Sequence, residues 1–428
     1  MHLGRFLTDS KNTNQSGYIW NMIGNMLNAF QSVVLLIIIT KYATLDDAGI
    51  FTIAFVNANF FLNIGKYGMR NFQVSDTNSQ FCFNSYRISR YITTAIMLIA
   101  SFLYVAVASQ INNYSYKKSI IIILMCIFKS VDSIEDVYHG LLQQNNRLDV
   151  AGKSMSIRMI ITILTFSLAI IISKSLLSAV TISIIVTFVL YFALNGYCYF
   201  LLKDNLNNTR EKASFKEILN LLKICLPLFI SVFLSFYIGN APKYSIDTYM
   251  NNEAQAIFGF ISMPIFIIGL LNSFVFNPVI SKMAFIWNNG EINKFKEMIR
   301  RQFFIIILIS LFCEFITYLI GIEILSFMYH TDLSDFKTQL LILLLGGGFL
   351  ALSGLLVTIL TIMRRQTFLA FGYIFVSILS FILSPVFVQR KGITGASIIY
   401  LLLMIVLCII FYIPIFHIIE STKKKQST

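Results

Sequence analysis

The stretch KSVDSIEDVYHG, residues 129–140, gathers Lys129, Asp132, Glu135, Asp136 and His139 directly after the apolar run SIIIILMCIF. On a helix at 100° per residue, Lys129, Asp132, Asp136, His139, Gly140 and Gln143 fall within an arc of roughly 100°, with Glu135 about 40° beyond it. Ser130, Val131, Ile134, Val137, Tyr138, Leu141 and Leu142 cover the other side. Intramembrane acids beside a histidine are a recurrent composition of proton relays. Asp132, Glu135, Asp136 and His139 are therefore candidates for carrying a coupling H+ or Na+. Charge balance for Lys129 and nearby arginines is the other role open to them.

A charge at the centre of a bilayer costs about 2.5–3.5 kcal/mol, so these side chains must face a bundle interior, a wet cavity or the space beyond the membrane edge. As a protruding cytoplasmic helix, the segment would form surface pairs such as Lys129 with Asp132. The apolar run before Lys129 has only about half the length that spanning needs, which favours a cavity. A second polar stripe lies on the first apolar segment, where Asn21, Asn25, Asn28 and Ser32 share an arc of about 60°, with Gln31 at its flank. Carboxamides suit sugar hydroxyls, and they are equally common as glue between membrane helices.

The elements carrying these stripes belong to a chain that is 57% hydrophobic, with 40 Phe and only 12% charged residues. An average soluble domain is about 25% charged. The expected class is an all-α, polytopic membrane protein with about twelve spans, near 17–40, 47–65, 91–110, 119–143, 155–173, 177–201, 220–241, 254–280, 303–320, 338–362, 367–387 and 393–418. The net charge of +13 reads as the positive-inside bias, with no need to invoke nucleic acid. Arg5, Lys11, Lys66, Arg70, Arg87, Arg90, Arg147, Lys153, Arg158, the segments 203–216 and 293–301, Arg364, Arg365 and the lysines at 423–425 fall on one side. Both termini are then cytoplasmic.

A charged connector at 202–219 divides the chain into halves at 1–201 and 220–428, a common layout among secondary transporters. All six prolines follow residue 220, and Pro227 and Pro264 fall inside spans where they would bend the helix. The segment 321–336 reads as an interfacial external stretch, and GGG at 346–348 with Gly354 as a site of close helix packing. Six scattered cysteines suggest neither a disulfide framework nor a zinc site. The polar N-terminus shows no cleaved signal peptide. The four dispersed histidines and the lack of an HExxH pattern give no metal site. No GxxxxGK[ST] loop occurs, since Gly65-Lys66 and Gly152-Lys153 lack the preceding glycine, so no ATPase and no cofactor are expected.

DDAGIFTIAF (46–55) with IGKYGMRNFQVSD (64–76) resembles the second span and first cytoplasmic loop of Wzx-type polysaccharide flippases. These belong to the multidrug/oligosaccharidyl-lipid/polysaccharide exporter (MOP) superfamily. EDVYHGLLQQNNRLDVAGKSMSIRM (135–159), NAPKYSIDTYM (240–250), GFISMPIFIIGLLNSFVFNPVI (259–280) and LSGLLVTILTIMRRQ (352–366) resemble further blocks, so the likeness spans most of the chain. It implies two six-helix bundles around a central cavity in the bacterial cytoplasmic (inner) membrane. The implied activity is transfer of undecaprenyl-diphosphate-linked oligosaccharide units to the outer leaflet for O-antigen or capsule assembly; without a phosphate loop, an ion gradient or downstream consumption would drive it. Membrane lipids and other polysaccharide-assembly proteins are the implied partners. A multidrug exporter of the same superfamily and a membrane-embedded polymerase are the alternatives.

A diphosphate needs cations. The candidates are Lys129, Arg70 and Lys66 at the inner end of the second span, Arg158 opening the fifth, and Lys243 at the outer end of the seventh. Arginine favours bidentate phosphate contact, while lysine acts as a point charge. Asn21, Asn25 and Asn28 are the candidates for sugar contact. Glu314, alone in the ninth span, and Asp247, four residues from Lys243, add coupling candidates in the second half. The stripe departs from the cationic lumen pictured for the family, because its helix carries three carboxylates against one lysine.

Overall fold

A computed structural model describes residues 6–10, 12–76, 80–198 and 213–427. Arg5, Lys11 and residues 202–212 of the connector lie outside the described residues, as do the side chains of the lysines at 423–425. Among the described residues the regular structure is entirely helical: α1 (Thr13–Tyr42), α2 (Leu45–Lys66), α3 (Met69–Ser75), α4 (Phe83–Ile111), α5 (Tyr116–Gln144), α6 (Leu148–Ser173) and α7 (Leu176–Leu190, continued by a π-helical turn, Tyr191–Gly196). There follow α8 (Phe215–Tyr249), α9 (Asn252–Ser262), α10 (Pro264–Asn288), α11 (Ile292–Tyr329), α12 (Lys337–Ile362) and α13 (Gln366–Ser427). Side-chain caps define several starts: Asn12, Thr44, Ser115, Ser175 and Asn251 each accept from a backbone N–H of the first turn.

Among the described residues, ten helices are long and apolar enough to cross a bilayer, with α13 counted once. Gly392 (φ 54°, ψ −133°) breaks α13 into arms at 366–391 and 393–427, a backbone conformation that suits glycine. Helix α5 has the length but carries charge along one face. Counting α5 and the second arm of α13 gives the twelve crossings read from the sequence.

Residues 1–233 form one compact unit. Here α1 lies along α6, while α2 and α4 pack on α5. The α1–α6 approach depends on Gly152, where a Cβ would stand 2.5 Å from the Asn21 backbone nitrogen and 2.5 Å from the Trp20 carbonyl carbon. The chain reverses out of α2 through Tyr67 (φ 51°) and Gly68 (φ 63°), both left-handed. Residues 6–10 are pinned to the start of α6. Lys153 Nζ donates to the carbonyl of Phe6 (2.7 Å) and to Ser10 Oγ (3.0 Å), and Ser10 Oγ donates to Asp149 Oδ2 (2.7 Å). Leu7 is fully buried in a cluster with Val137, Leu141 and Val150.

Residues 234–428 form the second unit, and α8 contributes residues to both. Its centre is the triple glycine of α12. A Cβ on Gly346 would meet the Tyr400 ring at 2.6 Å, one on Gly347 would meet Ile265 at 3.2 Å, and one on Gly348 would meet Ser310 at 3.1 Å. Successive residues point 100° apart on a helix. Each glycine therefore admits a different neighbour: the second arm of α13, α10 and α11. Gly354 departs from that expectation, with nothing within 4 Å of its Cβ position.

Two further expectations change. Pro264 does not bend a helix interior but opens α10 at its first position, where a missing N–H costs nothing. The segment 321–336 is not a separate interfacial stretch up to Tyr329, because α11 runs uninterrupted from Ile292. Its end is fixed by Tyr329, stacked on Phe260 with ring centroids 4.2 Å apart, and by His330 in the left-handed conformation.

Candidate functional site

The charged half of α5 lies inside the first unit. Lys129, Asp132, Glu135, Asp136 and His139 are all buried. Each carboxylate meets a cation from elsewhere in the fold. Lys129 Nζ donates to Asp132 Oδ2 on its own helix (2.9 Å) and to Gln31 Oε1 of α1 (3.0 Å). Arg158, near the start of α6, donates to Asp132 Oδ1 (2.6 Å) and Glu135 Oε2 (2.5 Å). Asn195 completes Glu135 by donating to Oε1 at 2.6 Å. It is presented by the π-helical turn that ends α7, a distortion often found at functional positions.

Asp136 holds two arginines. Arg90 of α4 donates to Oδ2 at 2.9 Å and to the Gly65 carbonyl at 2.9 Å, and is itself 0% exposed. Arg70 of α3 reaches Oδ1 at 3.4 Å and donates to Gln143 Oε1 at 3.0 Å, with its side chain 27% exposed. His139 Nε2 lies 3.6 Å from Glu135 Oε1, beyond hydrogen-bond reach. Four cations (Lys129, Arg158, Arg90, Arg70) thus face three carboxylates (Asp132, Glu135, Asp136). The acidic excess seen along α5 becomes a cationic excess once neighbouring helices contribute.

The arrangement ties α5 to six other helices, α1 through Gln31, α2 through the Gly65 carbonyl, α3 through Arg70, α4 through Arg90, α6 through Arg158 and α7 through Asn195. Lys129 and Arg158 are occupied by protein acceptors, and Arg70 is the outermost member. Lys66, half-buried, makes no ion pair or hydrogen bond among the described residues, yet acts electrostatically on Asp132 and Asp136. Of the amide stripe, Asn25 is exposed and bonds back to the Asn21 carbonyl at 2.8 Å, while Asn28 is half-buried. In the second unit, Lys243 and Glu314 are half-buried without ion-pair partners among the described residues, and Asp247 is buried.

Sequence reasoning missed Arg90, Asn195 and the depth of Gln31. Arg90 resembled a membrane-edge anchor, although it shares its helical face with Thr93, Thr94, Met97 and Ser101, all buried. That polar seam was the available signal. Asn195 had none, since its direction depends on a π turn.

No protein-family model matches the chain. It is 25% identical over 340 residues, covering 78% of this chain and 81% of the relative, to the capsular polysaccharide biosynthesis protein CapF of Staphylococcus aureus. The structure matches the inward-facing conformation of a multidrug resistance MATE family transporter of the MOP superfamily. The TM-score is 0.70 at 12% identity, over 92% of this chain and 96% of that one. The fold is that of the MOP-superfamily transporters. An outward-facing MATE structure of the superfamily also matches, with a TM-score of 0.59 at 14% identity over 98% of each chain. The capsular relative agrees with the Wzx-type sequence blocks, on a MOP fold whose buried charge is concentrated on α5.

Proposed function

We propose that the chain is a flippase of the bacterial cytoplasmic membrane that carries lipid-diphosphate-linked oligosaccharide units to the outer leaflet for surface polysaccharide assembly. The observation that carries this reading is the relationship to a capsular polysaccharide biosynthesis protein across most of both chains, on a MOP-transporter fold. In this reading Arg70 and Lys66 meet the diphosphate first. Lys66 has no competing acceptor among the described residues, and Arg70 needs to release a long contact to Asp136 and a hydrogen bond to Gln143. Lys243 serves a later position. Lys129 and Arg158 hold the bundle end together and become available only when their pairs with Asp132 and Glu135 open. Asn21, Asn25 and Asn28 contact sugar.

Ion coupling in this reading draws on Asp132, Glu135, Asp136, His139, Glu314 and Asp247. Protonating or metallating an acid of the α5 network would have to displace an arginine, which links ion occupancy to opening of that end. Neutralising Asp132 and Asp136 together is expected to abolish pH- or sodium-dependent transport in vesicles, and unchanged dependence removes the coupling role. Deletion of the gene is expected to strip surface polysaccharide, with rescue by the wild-type chain. Intact polysaccharide combined with altered tolerance to amphipathic cations would instead identify a drug exporter.

A further inference from the structure

On α2, Phe55, Asn59, Asn63 and Lys66 fall within an arc of about 80°, and all four are half-buried. Neighbouring directions on the helix are covered. Asn57, Phe61 and Leu62 are buried, and the rings of Phe60 and Tyr67 pack on Phe233 and Phe229 of α8 with centroids 4.3 and 4.5 Å apart. Neither Asn59 nor Asn63 joins α2 to another helix among the described residues. Asn59 Nδ2 donates to the Phe55 carbonyl at 2.8 Å and Asn63 Nδ2 to the Asn59 carbonyl at 2.9 Å, both within α2. Carboxamides that hold membrane helices together bond across the interface, so these two are not acting as glue. Each keeps its Oδ1 and a second N–H, an acceptor beside a donor.

Their position along the helix is informative. Helices α1 and α2 run antiparallel, joined through Ala43 and Thr44. At 1.5 Å per residue from that turn, Asn28 is level with Asn59, Asn25 with Asn63 and Asn21 with Lys66. Lys129 shows which faces turn toward each other: its Nζ donates to Gln31 of α1 at 3.0 Å and lies 5.1 Å from the Phe55 ring centroid of α2. Asn28 is about one turn from Gln31, and Asn59 one turn from Phe55, both toward the Lys66 end. Asn28 Oδ1 is buried with no hydrogen-bond partner among the described residues. Lys66, three residues past Asn63, closes the row with a free ammonium that acts on Asp132 and Asp136.

Resting on the flippase reading above, we propose that Asn59 and Asn63 hold the sugar joined directly to the lipid diphosphate, with Asn28 at the same depth on α1. A diphosphate at Lys66 places the adjoining sugar one to two turns along α2, where the two carboxamides stand about 6 Å apart in height. Their free N–H and Oδ1 complement a sugar hydroxyl, and still better an acetamido group, which offers its own N–H and C=O. These residues determine which sugar is accepted, while Lys66 and Arg70 hold the charge common to every such substrate.

The test uses the full chain in lipid nanodiscs and three probes: farnesyl diphosphate esterified to N-acetylglucosamine, to galactose, or to a methyl group in place of sugar. At least one sugar probe is expected to bind about tenfold more tightly than the methyl probe, the equivalent of one or two hydrogen bonds. In the double variant Asn59→Ala, Asn63→Ala that preference should vanish, with the methyl probe bound as before and the unfolding midpoint little changed. Lys66→Gln should weaken all three probes. Equal binding of the three probes by the wild-type chain, or a sugar preference kept by the double variant, would overturn the assignment and leave the flippase reading standing. Failure of the wild-type chain to bind any probe would remove that reading, and the sugar contacts with it.

Discussion

Arg158 joins Asp132 and Glu135, so its removal takes the arginine from buried Glu135 and leaves Asp132 with Lys129 alone. Breaking a buried pair in this way costs about 3–5 kcal/mol. Arg158→Ala is expected to lower the unfolding midpoint and folded yield sharply, and adding Glu135→Gln should recover part of the loss; additive losses would show that the pair is not coupled. Arg70 behaves differently. Its half-exposed, 3.4 Å contact is worth about 1 kcal/mol or less, so Arg70→Ala should leave thermal stability nearly unchanged while, under the proposed function, polysaccharide export falls. The stripe itself was legible, because helical periodicity on one element places Lys129, Asp132 and Asp136 together. Its partners were not, because Arg90, Arg158 and Gln31 come from three other helices whose rotation a single sequence does not encode.

At the scale of elements, spans were legible through apolar length, and their interruptions less so. Pro264 marks a helix start, which periodicity cannot separate from a bend inside a span. The extent of α11 was hidden because Glu323 and the polar end near Tyr329 resemble a loop by composition. Glycines separate two kinds of contact. Gly152→Ala would drive a Cβ into the backbone of α1, and overpacking of that kind costs about 1–3 kcal/mol. Gly354→Ala meets nothing and should be neutral or gain up to about 1 kcal/mol from helix propensity. Thermal unfolding of the two variants should move in opposite directions or at least differ clearly; equal shifts would show that the α1–α6 approach tolerates an added methyl group.

For the whole molecule, orientation is the property that the charge distribution predicts and labelling can read. In a background with the six native cysteines replaced, Thr331→Cys after α11 should react with an impermeant thiol reagent in intact cells. Asn289→Cys before it should react only after permeabilisation; the reverse pattern would invert the topology. The division into units at residue 233 falls within α8, well past the connector that composition marks as the midpoint. Composition detects where the chain is polar, whereas compactness depends on which helices a segment touches.

The glycine triplet of α12 has a mechanical corollary. Because Gly346, Gly347 and Gly348 seat three different helices at three consecutive residues, α12 works as an axle that cannot turn without dragging its neighbours. The amides around it should exchange with deuterium as one slow cooperative block, so any rearrangement of that half during a transport cycle would travel as a single body.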